Sequence, residues 1–261
     1  MRTRMVRMRR RRGSVMWAMV LLCAAMAAYV RVSLPMLSEG RANEIEQTGG
    51  TRLTKEVVIE KIDVNLICFG IWGTQSAAQI EAGRYVPRGA AGYILQDGQE
   101  FCVIGAMYED AAQAERVCGQ LREAEGLSCT VRRETVAEVK MRMTARQTQI
   151  EAFVQGEKTV RQIWRALGGM ALALDRGEAD VRQAQSVLEG HLEKLRAARQ
   201  SLNSAGGTEQ AVVASLDALM GTMECDLETL QTTSGRMALS AALKYCGIDA
   251  ALRHGVWMNG M

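Results

Sequence analysis

One strand–helix pattern occurs twice in the chain, and this repeat constrains the fold more than any other feature. Residues 101–107 form an apolar run typical of a buried strand, and residues 109–125 carry apolar positions at the spacings of three and four that indicate a helix. An upstream copy consists of an apolar run at residues 66–72 and a helical segment at residues 75–84. A further strand-like run follows each copy, at residues 90–95 and at residues 127–131. The two copies together predict one symmetric sheet domain.

The connection between the copies indicates how they assemble. Asp97 and Gly98 form a strong hairpin signal, because glycine accepts the positive φ that a tight turn requires. The order over residues 62–134 is therefore strand–helix–strand–strand–helix–strand. This order predicts an α+β fold of the βαββαβ, ferredoxin-like type, in which a four-stranded antiparallel sheet carries two helices on one face. The opposite face of the sheet is then open to solvent or to a ligand.

The character of the chain changes after this region. From residue 134 to about residue 245 there is no proline, and apolar residues recur at helical spacing. Within residues 181–202 the spacing alternates between three and four, which is typical of a seam between packed helices. Breaks at residues 175–177 and 204–207 divide the region, so residues 135–261 are predicted to form an antiparallel three-helix bundle. His191 lies on the seam, and we interpret it as a polar core residue rather than a ligand.

The N-terminus combines an arginine cluster with an apolar segment. Seven arginines lie in the first twelve residues, and residues 13–30 contain no charge. As a helix this segment is roughly 27 Å long, close to the ~30 Å hydrocarbon core of a bilayer. The arginines place the N-terminus in the cytoplasm and predict a single transmembrane helix. A cleavable signal peptide is the alternative, since residues 25–27 have the small-x-small form of a cleavage site. Both interpretations send residues 32–261 across the membrane.

Charge and composition exclude some classes of function. The formal net charge is +3, but without the N-terminal arginines the chain carries −4, which argues against a body that binds nucleic acid. The predicted organisation is an arginine-rich tip and transmembrane helix (1–31), a linker (32–55), the sheet domain (56–134) and the helical bundle (135–261).

The residues that usually carry chemistry are sparse. The chain has two histidines and seven cysteines without a CxxC pair, so no zinc site with convincing spacing is present in the sequence. The carboxylates of the helical region are typical of solvated helix faces rather than of an acid–base pair. We therefore predict a non-enzymatic protein without a cofactor or metal.

The strand motifs of the repeat resemble those of the SPOR domain, the sporulation-related repeat that binds bacterial cell-wall glycan. The first strand of that family has the form V-Q-x-G-x-F, and residues 67–72 here are Ile-Cys-Phe-Gly-Ile-Trp. Its third strand has the form Y-R-V-x-x-x-x-Y/F, and residues 101–108 here are Phe-Cys-Val-Ile-Gly-Ala-Met-Tyr. The similarity covers residues 62–134. An N-terminal single-pass anchor with the domain outside the cytoplasm is a common architecture of the family.

This resemblance implies a ligand and a set of site residues. It implies that the open sheet face binds peptidoglycan glycan strands that lack stem peptides, during division or sporulation. The polar glutamine and arginine of the family's sheet face are replaced here by Cys68 and Cys102, which lie at matching positions on neighbouring strands. The sequence is compatible both with a disulfide between these two cysteines and with two free thiols. The residues expected on the glycan-binding face are Cys68, Trp72, Tyr93, Cys102, Ser128, Thr130 and Arg132; for Trp72, burial in the core is the alternative.

Two hypotheses of different classes follow. In the first, the chain is a membrane-anchored envelope protein that binds glycan through its SPOR-like sheet face. In the second, the sheet domain has lost glycan binding, and the helical bundle docks a partner protein in an envelope complex. The state of the sheet face discriminates between them: an exposed polar face with an aromatic shelf favours the first, whereas an apolar face covered by the bundle favours the second.

Overall fold

Two sheets and six α-helices make up residues 51–207 and 210–261, which are the residues that the computed structural model describes. The strands are β1 (Arg52–Ile59), β2 (Ile62–Trp72), β3 (Tyr93–Asp97), β4 (Glu100–Tyr108), β5 (Thr130–Val136) and β6 (Val139–Arg146). The helices are α1 (Gln75–Tyr85), α2 (Ala111–Glu125), α3 (Gln147–Arg176), α4 (Val181–Ala205), α5 (Ala211–Thr232) and α6 (Arg236–Asn259). A short 3-10 turn (Val86–Arg88) follows α1.

The central sheet has four antiparallel strands in the order β3–β4–β2–β5, with α1 and α2 as the crossover connections. Local capping fixes where these helices begin. The side chain of Thr74 accepts a hydrogen bond from the backbone N–H of Ala77 at the start of α1, and that of Asp110 accepts one from Ala112 at the start of α2. Gly126, at φ 65°, ends α2 in the left-handed conformation that glycine tolerates best.

The second sheet is a two-stranded ribbon of β1 and β6 that continues the central sheet. Ile59 pairs with Val139 in the ribbon, and Ile62 pairs with Val136 in the central sheet, so the two ladders share one register. Only two residues on each strand interrupt the ladder. The buried Arg161 of α3 lies at this interruption, where its guanidinium donates hydrogen bonds to the carbonyl oxygens of Glu60 and Lys61 at 2.7 and 3.1 Å.

The helices form layers on both faces of the central sheet. Helices α1 and α2 cover one face through a small core that includes Ile67 and Phe69. Helix α6 lies on the opposite face, and α3 packs against the β1–β6 ribbon. A much larger core joins this face to the four C-terminal helices and includes Leu66 and Cys68. Helices α4 and α5 pack on the outside of α3 and α6, so they form an outer hairpin.

The predicted fold is wrong in its overall architecture. The region after the central sheet contains four helices rather than three, and strand β6 occupies residues that were assigned to the bundle. The ribbon strand β1 likewise begins at Arg52, inside the predicted linker. The inner-facing residues of β6 alternate with outer ones (Met143 and Ala145 are buried, whereas Arg142 and Thr144 are exposed), which is a strand pattern rather than a helical one. Helix α6 was missed because it is buried along most of its length and has no single apolar stripe.

The predicted transmembrane segment at residues 13–30 lies outside the described residues. Among the helices at residues 51–207 and 210–261, none has both the length and the apolar character needed to cross a bilayer. The membrane anchor therefore stays a prediction from the sequence.

Candidate functional site

The sheet face on which the glycan hypothesis depends is covered by the helical layer. Cys68 and Cys102 are only 4% and 3% exposed, and they belong to the large core between the sheet and the C-terminal helices. The two residues are joined by a disulfide, with a Cα–Cα distance of 6.2 Å. Neither side chain is available to a saccharide, because both lie beneath α6 and its neighbours.

The two aromatic residues predicted for the glycan site lie apart and are engaged with other groups. Trp72 packs against the α1–α2 core, and its ring lies over the Cα of Gly70, on the other side of the sheet from the disulfide. Tyr93 packs against the large core, with its ring 5.2 Å from that of Tyr245. The Tyr93 hydroxyl lies 3.4 Å from Asp249, and burial, together with this carboxylate, raises its pKa to about 12. No aromatic shelf results from this arrangement.

The three predicted residues near β5 are more exposed but do not form a pocket with the aromatic pair. Ser128 and Thr130 are exposed at the beginning of the strand. Arg132 bridges two carboxylates, donating to Glu134 at 2.5 Å and to Asp97 at 2.8 Å. Since β5 and β3 are the two edge strands, the Arg132–Asp97 pair spans the width of the sheet. The arginine that was expected to bind sugar hydroxyls is thus already paired.

A different concave surface lies at the C-terminal end of β4, and we call it the Tyr108 cleft. The pairing of β3 with β4 ends at Tyr93 and Ile104, whereas β2 stays paired with β4 as far as Tyr108. Residues 106–108 therefore have a strand neighbour on one side only. The N–H of Ala91 donates to the carbonyl of Gly105 at 2.8 Å, which closes the edge of β4 just before this segment.

Three adjoining cavities meet at this open segment and together form the cleft. Cavities of about 320 and 240 Å³ flank a much smaller one of about 20 Å³, and Tyr108 lines all three. The apolar walls come from both layers of the molecule: Ile67, Phe69, Val117 and Leu121 on the side of α2, and Leu172 and Met237 on the side of α3 and α6. The largest of these volumes lies at the lower end of the range of typical ligand pockets, and the smallest has room for about one water molecule.

The polar groups inside the cleft satisfy one another. The Lys244 ammonium donates to Asp175 and to the carbonyl of Gly89, both at 2.6 Å. Ser240 donates to the other oxygen of Asp175 at 2.5 Å. Burial, and next the negative charge of Asp175, raise the pKa of Tyr108, so its hydroxyl stays protonated at neutral pH. The floor of the cleft is therefore polar without carrying a net charge.

Two exposed ion pairs lie at the rim of the cleft. Arg88 pairs with Glu125 at 2.6 Å on one side, and Arg165 pairs with Glu109 at 2.9 Å on the other. All four side chains are substantially exposed, so these pairs contribute little to stability. The charges within each pair cancel, and Asp110 at the start of α2 adds a further carboxylate to the lining.

Glycines on α3 give the cleft its width. Gly168 and Gly169 line it, and no neighbouring atom lies within 4 Å of the place where a Cβ would be at either residue. Two adjacent glycines cost helix stability, roughly 1 kcal/mol each relative to alanine. Their presence inside the long amphipathic helix α3 was the sequence signal for this surface, and it was not used in the prediction of site residues.

A buried charged cluster lies elsewhere, between α3, α6 and the point where the sheet meets the ribbon. Arg161 donates to Glu157 at 2.6 Å, and Nε2 of His254 lies 3.3 Å from the same carboxylate. The indole of Trp164 donates to Nδ1 of His254 at 3.3 Å, which leaves the imidazole proton on Nε2. His254 is fully buried, and burial lowers its pKa. The cluster is inaccessible, so its role is to anchor the strands rather than to bind a ligand.

The comparisons with known proteins add no assignment. No protein-family model, curated protein or solved structure matches the chain. Within the described residues, no group of three or more histidine, cysteine, aspartate and glutamate side chains is arranged to hold a metal ion. The resemblance to the SPOR domain therefore stays a prediction.

Proposed function

We propose that the chain is a non-enzymatic interaction protein of the bacterial cell envelope, in which the helical layer docks a partner protein. The observation that carries this proposal is the covered sheet face. Leu66, Cys68, Cys102 and Ile104 are buried beneath the C-terminal helices rather than presented to a ligand. The second of the two hypotheses from the sequence is thus the one that the geometry favours.

The Cys68–Cys102 disulfide supports an extracytoplasmic location for this role. Structural disulfides persist in oxidising compartments and are rare in the cytosol. The arginine cluster and the uncharged segment at residues 13–30 favour the same location by an independent argument. We accordingly place residues 32–261 outside the cytoplasm, attached to the membrane by the N-terminal helix.

Glycan binding has less support. It requires an exposed platform with hydrogen-bond donors, and the residues expected to form one are divided between two faces of the sheet or are already paired. The members of the predicted set that a glycan would still reach lie at or just before the edge strand β5: Ser128, Thr130 and Arg132.

The test compares the two hypotheses on the full-length chain purified in detergent. We expect no saturable retention on peptidoglycan sacculi or on glycan strands stripped of stem peptides, and no change for Thr130→Ala or Arg132→Gln. In membranes solubilised after muramidase digestion, we expect the chain to migrate in a complex larger than the monomer. Retention on glycan that Arg132→Gln abolishes, or a complex that disappears with the cell wall, would overturn the proposal.

A further inference from the structure

We propose that a groove between α3 and α4 binds an acidic peptide segment of the partner, and that Lys194 and His191 hold one carboxylate of that segment. This inference rests on the proposed function, because it states what the docked partner presents to the helical layer. Three features of the groove carry it: its room, its polar side chains without partners, and its uncompensated positive charge.

The groove follows the seam between two antiparallel helices. The short connection at residues 177–180 makes α3 and α4 antiparallel neighbours. Polar side chains at helical spacing line both walls: Gln155, Thr159 and Gln162 on α3, and His191, Lys194 and Ser201 on α4. The cavity measures about 340 Å³, which is within the range of ligand sites. From His191 to Ser201 the helix rises roughly 15 Å, so the groove is long enough for a short peptide segment.

The base of the groove is apolar, and small side chains keep it open. Ile163 and Ala198 line it and are buried. Ala197, which is exposed on the wall formed by α4, contributes only a methyl group. A peptide can therefore approach both helices closely and gain free energy by burying apolar surface against this base.

The polar side chains of the groove leave hydrogen-bonding groups for a ligand. Gln162, His191 and Lys194 make no side-chain hydrogen bond or ion pair with the described residues. The sequence indicated a polar core residue at His191, but this side chain is only half buried, and its ring nitrogens are not sealed from solvent. Donors of both helices are thus available at one surface.

The two sides of α4 differ in how their charges are compensated. On the side of α5, Arg196 pairs with Glu224 at 2.7 Å and Arg199 pairs with Asp217 at 2.8 Å. On the side of α3, Lys194 lines the groove, and no carboxylate among the described residues lines it. A ligand carboxylate would supply this missing partner through a charge-assisted hydrogen bond. The imidazole one turn away can donate a second hydrogen bond to the same group.

A phage-displayed decapeptide library with glutamate fixed at its centre and no other charged residue is the probe. The full-length chain in lipid nanodiscs is the bait, and Lys194→Glu reverses the charge of the groove. Lys55→Glu is the matched control, because Lys55 is also an exposed lysine without an ion pair to the described residues, but lies on β1. We expect selected peptides to bind the native chain and Lys55→Glu equally, and Lys194→Glu roughly tenfold or more weakly.

Two further comparisons locate the contact. A selected peptide with lysine in place of its central glutamate should bind Lys194→Glu better than it binds the native chain. Ala197→Phe fills the groove without changing its charge and should block binding, whereas Ala124→Phe, at an exposed alanine of α2, should not. The unfolding midpoint of each variant verifies that it is folded. Peptides that ignore the exchange of charge, or that bind Ala197→Phe as tightly as the native chain, would overturn the inference.

Acidification tests the imidazole. Burial, and next the charge of Lys194, lower the pKa of His191, so the free chain holds it neutral at pH 7. The α3 wall carries no titratable side chain among the lining residues, and the neighbours one turn away on α4 are Val187, Leu188, Lys194 and Leu195. A bound carboxylate favours the protonated imidazole, so binding should tighten severalfold between pH 7 and pH 5.5, where the glutamate of the peptide stays ionised. His191→Gln should lose this response, and a response that survives it unchanged would overturn the contact.

The remaining outcomes separate this inference from the proposed function. A library that yields no peptide sensitive to both Lys194→Glu and Ala197→Phe overturns the inference, but leaves the proposed function standing if the native complex still survives muramidase digestion. Retention on glycan that Arg132→Gln abolishes, by contrast, counts against the proposed function itself.

Discussion

The two faces of the central sheet differ in how they are covered, and the difference explains why the sequence misled. On one face, α1 and α2 close a small core around Ile67 and Phe69, and each of these helices keeps its outer surface in solvent. On the other face, the sheet is one layer of a core that continues through α6 and α3 into the outer helices. The first face is completed locally by the repeat, whereas the second depends on residues more than a hundred positions away.

The central strand β2 carries the signature of this two-sided burial. Leu66 and Ile67 are consecutive, point to opposite faces, and are both fully buried. A strand with one wet face alternates apolar and polar residues, while a strand covered on both faces is apolar throughout. The run at residues 66–72 is of the second type, so two-sided covering follows from the sequence itself, although we predicted an open face.

The largest expected effect is the loss of stability when Leu66 or Ile67, which face opposite sides of the sheet, is truncated. We expect both Leu66→Ala and Ile67→Ala to lower the free energy of unfolding by about 2–5 kcal/mol, because each removes a fully buried side chain and leaves a cavity. The measurement is urea denaturation followed by circular dichroism on the full-length chain in detergent. Val58→Ala is the control, since Val58 lies half exposed on the ribbon and should cost little.

The comparison fails if the two core variants differ sharply. A cost below about 1 kcal/mol for Leu66→Ala beside a large cost for Ile67→Ala is the result expected of an open face, and it would contradict the covering by α6.

The second prediction concerns the Cys68–Cys102 disulfide, which lies on the face of the central sheet that α6 covers. Reduction of the Cys68–Cys102 disulfide, which closes a loop with a sequence separation of 34, should lower the free energy of unfolding by roughly 3–4 kcal/mol on the chain-entropy model. Unfolding midpoints measured with and without a reductant give this difference directly. The variant with Cys68→Ala and Cys102→Ala should show no response to the reductant.

The thiols of the other face supply the matched control. Cys118 and Cys129 are buried and free, and burial, with further contributions from Cys118, raises the pKa of Cys129 to about 11. A variant with both of them changed to alanine should respond to the reductant as the native chain does. A native chain whose midpoint ignores the reductant would contradict the disulfide.

These contrasts show which parts of the molecule the sequence could predict. Local signals were sufficient for the elements that they govern: Thr74 and Asp110 cap α1 and α2 with their side chains, and Asp97-Gly98 turns between β3 and β4. Long-range packing was not available from such signals. Helix α6 has apolar residues around most of its surface, so it lacks the periodicity by which an amphipathic helix is recognised.

The site was harder to predict than the fold for a related reason. The residues expected to bind glycan were chosen by analogy between strands, which assumes that the sheet face is free. The Tyr108 cleft instead depends on where β3 stops, on the glycines of α3 and on Lys244 of α6, three features that only the tertiary structure brings together. No spacing within the sequence links them.

The smallest of the three effects concerns pH, and it too belongs to one face. Burial, together with repulsion from Arg161 and Arg165, lowers the pKa of His254 below 6.5, even though Glu157 acts in the opposite direction. The unfolded chain therefore takes up this proton first as the pH falls. The stabilisation that neutral His254 gives to the folded state is fully present above about pH 6.5 and is lost as the pH falls below that value. The free energy of unfolding should therefore decrease between pH 7 and pH 5. The pKa of Glu157 is also lowered, by His254 and Arg161 against the effect of burial, so its loss follows at lower pH.

Urea denaturation at a series of pH values measures how the free energy of unfolding changes with pH. One substitution then shows whether His254 causes the change. His254→Gln should flatten the profile between pH 7 and pH 5, whatever its effect on the absolute stability. His191→Gln should leave most of the slope, because His191 is only half buried, although burial and Lys194 lower its pKa as well. A native profile without a slope in this range, or a slope that survives His254→Gln unchanged, would contradict a neutral buried imidazole at the junction of sheet and ribbon. The α1–α2 core contains cysteines and tyrosines but no histidine, so it has no counterpart to this acid sensitivity.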